Sequence, residues 1–308
     1  MSDLYGGQAV IEGVMMRGPH HFAVAARRAN GEIAITCEAV PYQNRPAWQK
    51  LAFLRGVFGI VGAMRLGTRS LLWAAKIAEE EIAETDKPSG KVMDVVLGST
   101  VVLSLALAIF FKTLPQIPIQ FAKNAGWPAW QIILMDFTIR VVFITGYLLL
   151  IARMKHVFRV FQYHGAEHKA INALEAGKEL TVENVRAASR LHPRCGTSFL
   201  FGLIALSVLA MSYFNINNNV LWQRILIQVG ILPVMAGVMF EILRLGGKFR
   251  NNAAVATLST PGLWTQYLTT REPDDSQIEV SIASLKAAMA AENGNVAEAR
   301  NAAETQTG

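Results

Sequence analysis

His164 and His168 lie four residues apart in the segment HGAEHKAINALE, and Glu167 directly precedes the second histidine. Apolar residues recur through residues 157–174 at helical spacing, and Gly177 is a natural helix stop. Side chains four residues apart on a helix share one face, with Cβ atoms about 5–6 Å apart, so both imidazoles can reach one ion. The pattern therefore predicts a divalent-metal site, with zinc as the expected metal.

The order His-x-x-Glu-His is that of one class of zinc peptidases, in which the glutamate acts as general base on water. By this interpretation Glu167 is the catalytic residue. Such a short pattern also recurs by chance, and the alternative is an ordinary amphipathic helix with two solvated histidines. Three of the six histidines fall between His164 and His192, which favours the metal site.

Further ligands are expected from the segment LHPRCGTSF, which contains His192 and Cys195. Imidazole and thiolate both bind zinc well, and Cys195 is the first choice. The alternative for Cys195 is a small buried hydrophobic residue. A site in which His164, His168, His192 and Cys195 all bind is closed and structural, whereas three ligands plus water make a catalytic site. The sequence leaves both open.

Other polar residues are expected to support the site. A carboxylate can orient a ligating imidazole, and a charged group on the same side of a membrane can dock against the metal. Glu241 is in addition a possible ligand. The supporting candidates are Glu175, Glu241, Glu12, Arg17 and Arg194.

The composition favours a membrane protein. Hydrophobic residues make up 52% of the 308-residue chain, mean hydropathy is +0.30, and charged residues are only 17%, against about 25% in soluble domains. Apolar stretches approach or reach the roughly 17–25 residues that a spanning helix needs; they are residues 95–111, 132–152, 198–214 and 220–243. We therefore expect a mainly α, polytopic membrane bundle of about four spanning helices.

Basic residues concentrate before residue 93, between residues 153 and 197, and after residue 244. Because positive segments stay in the cytoplasm, both termini and the HGAEH segment are expected there. The two cysteines, Cys37 and Cys195, would then lie in a reducing compartment. No signal peptide is recognisable at the N-terminus, and the scattered basic residues argue against nucleic-acid binding.

Outside the apolar stretches, Asn30-Gly31 between two β-type segments predicts a hairpin in a small N-terminal β unit. The segment after it is expected to be an amphipathic helix at the membrane interface, or alternatively a helix packed on the β unit. An acidic start before residue 278 predicts a further helix. The expected organisation is a β unit (1–46), an interfacial helix (47–92), a membrane domain (93–245) with the metal-motif loop 153–197, a cytoplasmic segment (246–292) and a disordered tail (293–308).

The segments GGQAVIEGVMMRGP, YHGAEHKAINALE, LHPRCGTSF and PGLWTQYLTTREPDD together resemble the DUF1385, or YqhQ-like, family of bacterial membrane proteins. The resemblance extends to about Ala288. Members are described only as predicted metal-dependent enzymes. The resemblance implies a multi-pass protein of the bacterial cytoplasmic (inner) membrane with a suspected metal. It supports as site positions His164, Glu167, His168, His192 and Cys195.

The leading functional hypothesis is a metal-dependent membrane hydrolase, most simply a peptidase. Its expected partners are the lipid bilayer and a peptide or membrane-protein substrate. One alternative is a non-enzymatic scaffold or assembly factor with a structural metal. Another is a transporter whose path is lined by Asp136, Arg140 and Glu241. The sequence indicates neither the substrate nor the oligomeric state.

Overall fold

The computed structural model describes residues 5–41, 46–79, 116–214, 221–248 and 253–294. The apolar stretch 95–111, residues 80–92 of the predicted interfacial helix, and the predicted disordered tail from residue 295 lie outside these ranges. The chain divides into two compact units. The first comprises Met1–Glu81, Ile151–Leu203 and Leu232–Gly308, and the second Ile82–Leu150 and Ile204–Ile231.

The described strands are all near the N-terminus, and helices follow them. The strands are β1 (Gly6–Val10), β2 (Gly13–Arg17), β3 (His21–Arg27) and β4 (Ile33–Ala39). A short 3₁₀ helix spans Ala47–Lys50. The α-helices are α1 (Leu54–Glu79), α2 (Gln116–Asn124), α3 (Ala129–Ile151), α4 (Lys155–Glu175), α5 (Val182–Arg186), α6 (Gly196–Phe214), α7 (Leu221–Lys248), α8 (Ala253–Thr269) and α9 (Asp275–Glu292).

The four strands form one antiparallel sheet in the order β1-β2-β3-β4. The hairpin between β3 and β4 turns through Gly31, whose φ of +93° lies in the left-handed region that glycine tolerates. The sheet lies within the range where the sequence predicts a β unit.

Alternating side chains of the sheet enter two separate cores, because successive residues of a strand point to opposite faces. One face packs against α4 and α9, and its core includes Val14, Met16, Ala23, Ala25 and Cys37. The other face packs against α1, with Met15, Phe22 and Val24 contacting Leu66, Ala74 and Ile77. The sheet is therefore packed against helices on both faces. Helix α4, which carries the histidine pair, lies with α9 on one of these faces.

Helix α9 begins where the acidic residues predict a helix start. The Asp274 side chain accepts a hydrogen bond from the Gln277 N–H, and the Gln277 side chain accepts one from the Asp274 N–H. This reciprocal cap satisfies two of the N–H groups that a helix start leaves open. Helix α9 then contacts the sheet directly, with the Ser284 hydroxyl donating to the Ala23 carbonyl oxygen.

The predicted bundle of about four spanning helices is wrong for the part of the chain that the structure describes. There, only α3 (Ala129–Ile151) is long and apolar enough to cross a membrane, and none of its residues is buried. Its 23 residues would extend about 35 Å, more than the roughly 30 Å of a bilayer core. Membrane crossing by α3 rests on length and composition alone.

The other two apolar stretches within the described ranges do not add a second candidate span. Among the described residues they give the shorter apolar helical segments Gly196–Ala210 in α6 and Pro233–Ile242 in α7. Polar contacts also begin inside α6, where the buried Ser198 hydroxyl donates to the Gly262 carbonyl oxygen.

Candidate metal centre

His164 and His168 lie on one face of α4, with ring centroids 4.4 Å apart. Helix α4 packs closely against the connection between α8 and α9. A Cβ built on Gly165 would lie only 2.1 Å from the Arg271 carbonyl oxygen. The Arg271 N–H donates in turn to the Phe161 carbonyl oxygen at 2.8 Å. Only glycine at position 165 allows this contact, which brings the end of α8 to the histidine pair.

Each imidazole is oriented by a backbone carbonyl. Nδ1 of His164 lies 2.9 Å from the Thr269 carbonyl oxygen, and Nδ1 of His168 lies 2.6 Å from that of Arg190. A carbonyl oxygen only accepts, so Nδ1 carries a proton in both rings, and in the neutral imidazole Nε2 then keeps its lone pair. Metal-ligating histidines typically have this outer hydrogen bond.

Cys195 completes a group of three. Its Sγ lies 3.3 Å from His164 Nε2 and 3.2 Å from the Thr197 hydroxyl. One ligand atom from each of His164, His168 and Cys195 lies within 4.8 Å of the others. The thiol reaches the histidines from a tight turn, in which the Cys195 N–H donates to the His192 carbonyl oxygen just before α6.

The carboxyl of Glu167 is buried beside this group. Its residue is 5% exposed, and Oε2 lies 3.9 Å from His164 Nε2. Burial raises the pKa of Glu167 to about 7, against the opposing effects of His164 and of a hydrogen bond from the Gly7 N–H. A carboxyl in such an environment is well suited to exchange a proton near neutral pH.

His192 lies behind the group of three. Its ring centroid is 5.8 Å from that of His168, and its Nε2 lies 3.5 Å from Glu175 Oε1. Burial lowers the pKa of His192, and the nearby Glu175 carboxylate opposes this shift. Arg194 also pairs with Glu175. The expected supporting residues Glu175 and Arg194 are therefore beside His192.

The loop that supplies the Arg190 carbonyl is held by side chains of α4. The buried Lys169 donates to the carbonyl oxygens of Arg186 and Ala188 at 2.8 and 3.0 Å. Its Nζ also pairs with Glu272 at 2.5 Å. Asn172 donates to the carbonyl oxygens of residues 189 and 191. These contacts place the loop where it can orient His168.

Gln266 holds the start of the LHPRCGTSF segment. It accepts from the His192 N–H at 2.8 Å and donates to the His192 carbonyl oxygen at 2.7 Å. The sequence interpretation did not include Gln266, Lys169, Asn172 or Thr269. Gln266 and Thr269 belong to PGLWTQYLTTREPDD, one of the segments that carry the family resemblance. That resemblance was the sequence signal that could have identified them as site residues.

The remaining expected site residues have other partners. Glu12 binds Arg159, with Oε1 2.6 Å from Nε, and accepts a hydrogen bond from the Tyr163 hydroxyl at 3.3 Å. It therefore docks on α4 directly before the histidine pair. Glu241 pairs with Arg55 of α1, with Oε1 2.7 Å from Nε. Arg17 lies at the end of β2, paired across the ladder with Gly6.

The acids of the transporter hypothesis have basic partners within reach. Asp136 pairs with Arg140 one turn along α3, with Oδ1 2.7 Å from Nε. Glu241 has the partner described above. Such pairing is the usual condition of acidic groups in an apolar segment.

The three donors suit a divalent transition metal. Two imidazole nitrogens and one thiolate are typical zinc ligands, and their number leaves one position for water or substrate. Both imidazoles have their lone pairs directed away from the orienting carbonyls. The residues present therefore fit a zinc-type ion.

Comparison with known proteins places the chain in a family. The family model described as "Protein of unknown function (DUF1385)" matches residues 51–291. The chain belongs to the DUF1385 family. It is also 37% identical over 294 residues to "Uncharacterized protein YqhQ" of Bacillus subtilis (strain 168), covering 91% of this chain and 90% of the relative. No solved structure matches.

The DUF1385 match includes all three members of the His164, His168 and Cys195 group. It also includes the carbonyls that orient the imidazoles, at Arg190 and Thr269. Strand β1, which contacts Glu167, precedes the matched range. Neither description names an activity or a metal, so the functional argument depends on the geometry of the site.

Proposed function

We propose that this DUF1385 protein is a membrane-attached, metal-dependent hydrolase, most simply a peptidase. His164, His168 and Cys195 would hold the ion, which is expected to be zinc. The observation that carries the proposal is the convergence of these three donors while both Nδ1 atoms are bound to backbone carbonyls. Imidazoles held by backbone carbonyls, with a thiol within 4.8 Å of a ligand atom of each, are arranged as metal ligands are.

A divalent metal at this position supplies Lewis-acid polarisation of a carbonyl and activation of water. Glu167 is the group of this chain that takes the proton from the attacking water. It then returns the proton to the leaving amine as the carbon–nitrogen bond breaks. Its burial keeps bulk water from competing for that proton, and the Gly7 N–H orients the carboxyl.

A membrane-associated peptide substrate is supported by the position of the site in the chain. Helix α4 begins at Lys155, directly after the apolar α3 ends at Ile151. If α3 crosses the bilayer, the short connection of residues 152–154 keeps the start of α4 close to the membrane surface. Peptide segments of membrane proteins would then be the accessible substrates.

The test combines metal content with turnover in the full-length protein. Elemental analysis should find about one zinc per chain in the wild type and a large loss in the double variant His164→Ala/His168→Ala. Glu167→Gln should keep the metal, because Glu167 is not among the three donors. With a defined peptide library and mass spectrometry of new termini, the wild type should cleave and Glu167→Gln should not.

The outcomes separate the hydrolase from a structural metal site. Wild-type protein that contains zinc but cleaves no peptide, and that loses thermal stability on chelation, would support the scaffold alternative. That alternative has some support, since the ligands join α4 to the turn before α6. Full cleavage by Glu167→Gln would show that another group is the base.

A further inference from the structure

Helix α1 has two apolar faces, and among the described residues of the first unit one of them is packed. Leu66, Ala74 and Ile77 are buried against the sheet. On other sides of the helix, large apolar side chains are exposed, with Met64 67% and Leu72 66% accessible. We call the second set the outer face of α1; it comprises Leu54, Val61, Met64, Leu71 and Leu72.

The outer face forms a mainly apolar stripe along the helix, in which Thr68 is also exposed. At about 100° per residue, Leu54, Val61 and Leu72 fall within about 20° of one another around the helix. Met64 and Leu71 lie about 80–100° to one side of Leu54, so the stripe is roughly 100° wide. A stripe of this width is what an amphipathic helix buries against an apolar environment.

The segment that leads into α1 extends this surface. Trp48, Leu51 and Phe53 are 52%, 58% and 52% exposed. Phe53 has a φ of +66°, which is costly for a bulky residue. The Phe53 N–H donates to Glu241 at 3.3 Å, and this contact holds the strained backbone while the ring stays outside.

The charge of this region has one sign up to Glu79, the last residue of α1. Residues 39–78 contain no acidic residue and include six basic ones, at positions 45, 50, 55, 65, 69 and 76. Arg65, Arg69 and Lys76 are exposed and lie about 20–60° from Leu54, on the other side from Met64. Acidic partners come from other elements, since Glu38 pairs with Arg69 and Glu241 with Arg55.

We propose that the outer face of α1, together with Trp48, Leu51 and Phe53, lies on the surface of an anionic lipid bilayer. The apolar stripe enters the boundary between headgroups and acyl chains, and Arg65, Arg69 and Lys76 contact the anionic headgroups from its edge. Trp48 suits the same depth, where aromatic rings concentrate. This contact does not depend on metal binding or turnover.

The basic edge favours lipid over a second copy of the chain. A symmetric dimer through the outer face would bring the same basic residues of two chains together, and like charges repel. An anionic headgroup layer instead neutralises them, at about 1 kcal/mol per basic residue near the surface.

The test measures the depth of one residue in the full-length protein reconstituted into vesicles. Met64→Cys is labelled with an environment-sensitive fluorophore, with Lys286→Cys on α9 as the exposed control. Cys37 and Cys195 are buried, and the wild type serves as the labelling blank. In phosphatidylglycerol–phosphatidylcholine vesicles, brominated acyl chains should quench the label at position 64 at least about threefold more than at position 286.

Aqueous iodide should quench the label at position 286 more strongly than the label at position 64. Exchange to phosphatidylcholine alone, or the triple change Arg65→Gln/Arg69→Gln/Lys76→Gln, should lower the bromolipid quenching at position 64. Equal iodide quenching at both positions would overturn the proposal. So would a label at position 64 that is protected from both quenchers, which would indicate a protein partner, or bromolipid quenching independent of lipid charge.

Discussion

Gly7 of β1 lies directly against Glu167 of α4, on the edge of the candidate metal centre. The Gly7 N–H donates a hydrogen bond to the Glu167 carboxyl, and a Cβ built on Gly7 would lie 2.8 Å from Glu167 Cγ. The N-terminal strand therefore forms one wall of the site. A residue of the sheet that carries no functional group of its own thus sets the position of the proposed general base.

Replacing Gly7 by alanine should destabilise the protein. The new Cβ would lie 2.7 Å from the Met15 carbonyl oxygen in the neighbouring strand as well as close to Glu167. Because backbone cannot move aside cheaply, we expect a loss of about 1–3 kcal/mol in the free energy of unfolding. Urea unfolding of the detergent-solubilised protein, followed by circular dichroism, measures it.

Gly6→Ala is the matched control. A Cβ on Gly6 meets nothing within 4 Å in the same strand, so the change should be within about 0.5 kcal/mol of the wild type. If Gly7→Ala and Gly6→Ala unfold at the same urea concentration, β1 does not pack against α4 as closely as described.

The histidine pair could be predicted from sequence because it depends on local geometry. His164 and His168 share a helix face whatever surrounds the helix, and the nearby Cys195 was the natural third donor. The carbonyls of Arg190 and Thr269 could not be predicted in the same way. Any residue type has a carbonyl, so their role depends on tertiary packing and leaves no trace in residue identity. The metal itself stays a prediction.

The membrane bundle was predicted from apolar runs, and this is where the sequence interpretation failed. Apolar composition does not distinguish lipid from a protein interior. In α6, Ser198 at the start of the run is buried and donates to the Gly262 carbonyl oxygen, and the turn at Cys195 just before the run joins the site. The first residues of this apolar run therefore pack against protein. The two-sided sheet was missed because the alternation in β2 and β3 is between two buried faces, and both appear apolar.

Cys195→Ser should lower zinc affinity by more than about 100-fold, the upper end of what loss of a supporting partner costs. A serine hydroxyl is a poor zinc ligand at neutral pH, whereas a thiolate is among the best. Competition with a chromogenic chelator measures the affinity. Both cysteines are buried, at 4% and 5% exposure, so Cys37→Ser is a close control.

Cys37→Ser should bind zinc as the wild type does, because Cys37 lies in the sheet core. Its expected effect is a loss of about 1–3 kcal/mol of stability from burying a hydroxyl. Equal zinc affinity in the two serine variants would remove Cys195 from the ligand set.

Lys169→Met should weaken zinc binding without touching a ligand. The methionine fills a similar volume but leaves the Arg186 and Ala188 carbonyl oxygens without their donor. The loop that carries the Arg190 carbonyl then loses its support, and His168 its orientation. We expect zinc affinity to fall about 10–100-fold and stability by about 1–3 kcal/mol.

Lys286→Met, at an exposed position of α9, controls for loss of a positive charge. It should leave both quantities near the wild-type values, within about 0.5 kcal/mol for stability. Wild-type zinc affinity in Lys169→Met would mean that the loop keeps its conformation without the lysine, and that the carbonyl of Arg190 is positioned by other contacts.

Glu12 has a strained backbone conformation, and its carboxylate makes contacts with α4 that offset the strain. Its φ is +49°, in the left-handed region that non-glycine residues rarely adopt. The carboxylate binds Arg159 and accepts from Tyr163, both on α4. Glu12→Ala removes these contacts and keeps the strain, whereas Glu12→Gly removes the contacts and the strain together.

We therefore expect Glu12→Ala to be the less stable variant, by about 1 kcal/mol relative to Glu12→Gly. Both should be less stable than the wild type, by about 1–2 kcal/mol for the alanine variant, a modest value because the Glu12–Arg159 pair is partly exposed. Urea unfolding of the three proteins side by side gives both differences. Identical unfolding of the alanine and glycine variants would show that the backbone at position 12 leaves the left-handed region once the carboxylate is gone. The docking of the turn between β1 and β2 on α4 would then depend on the side chain alone.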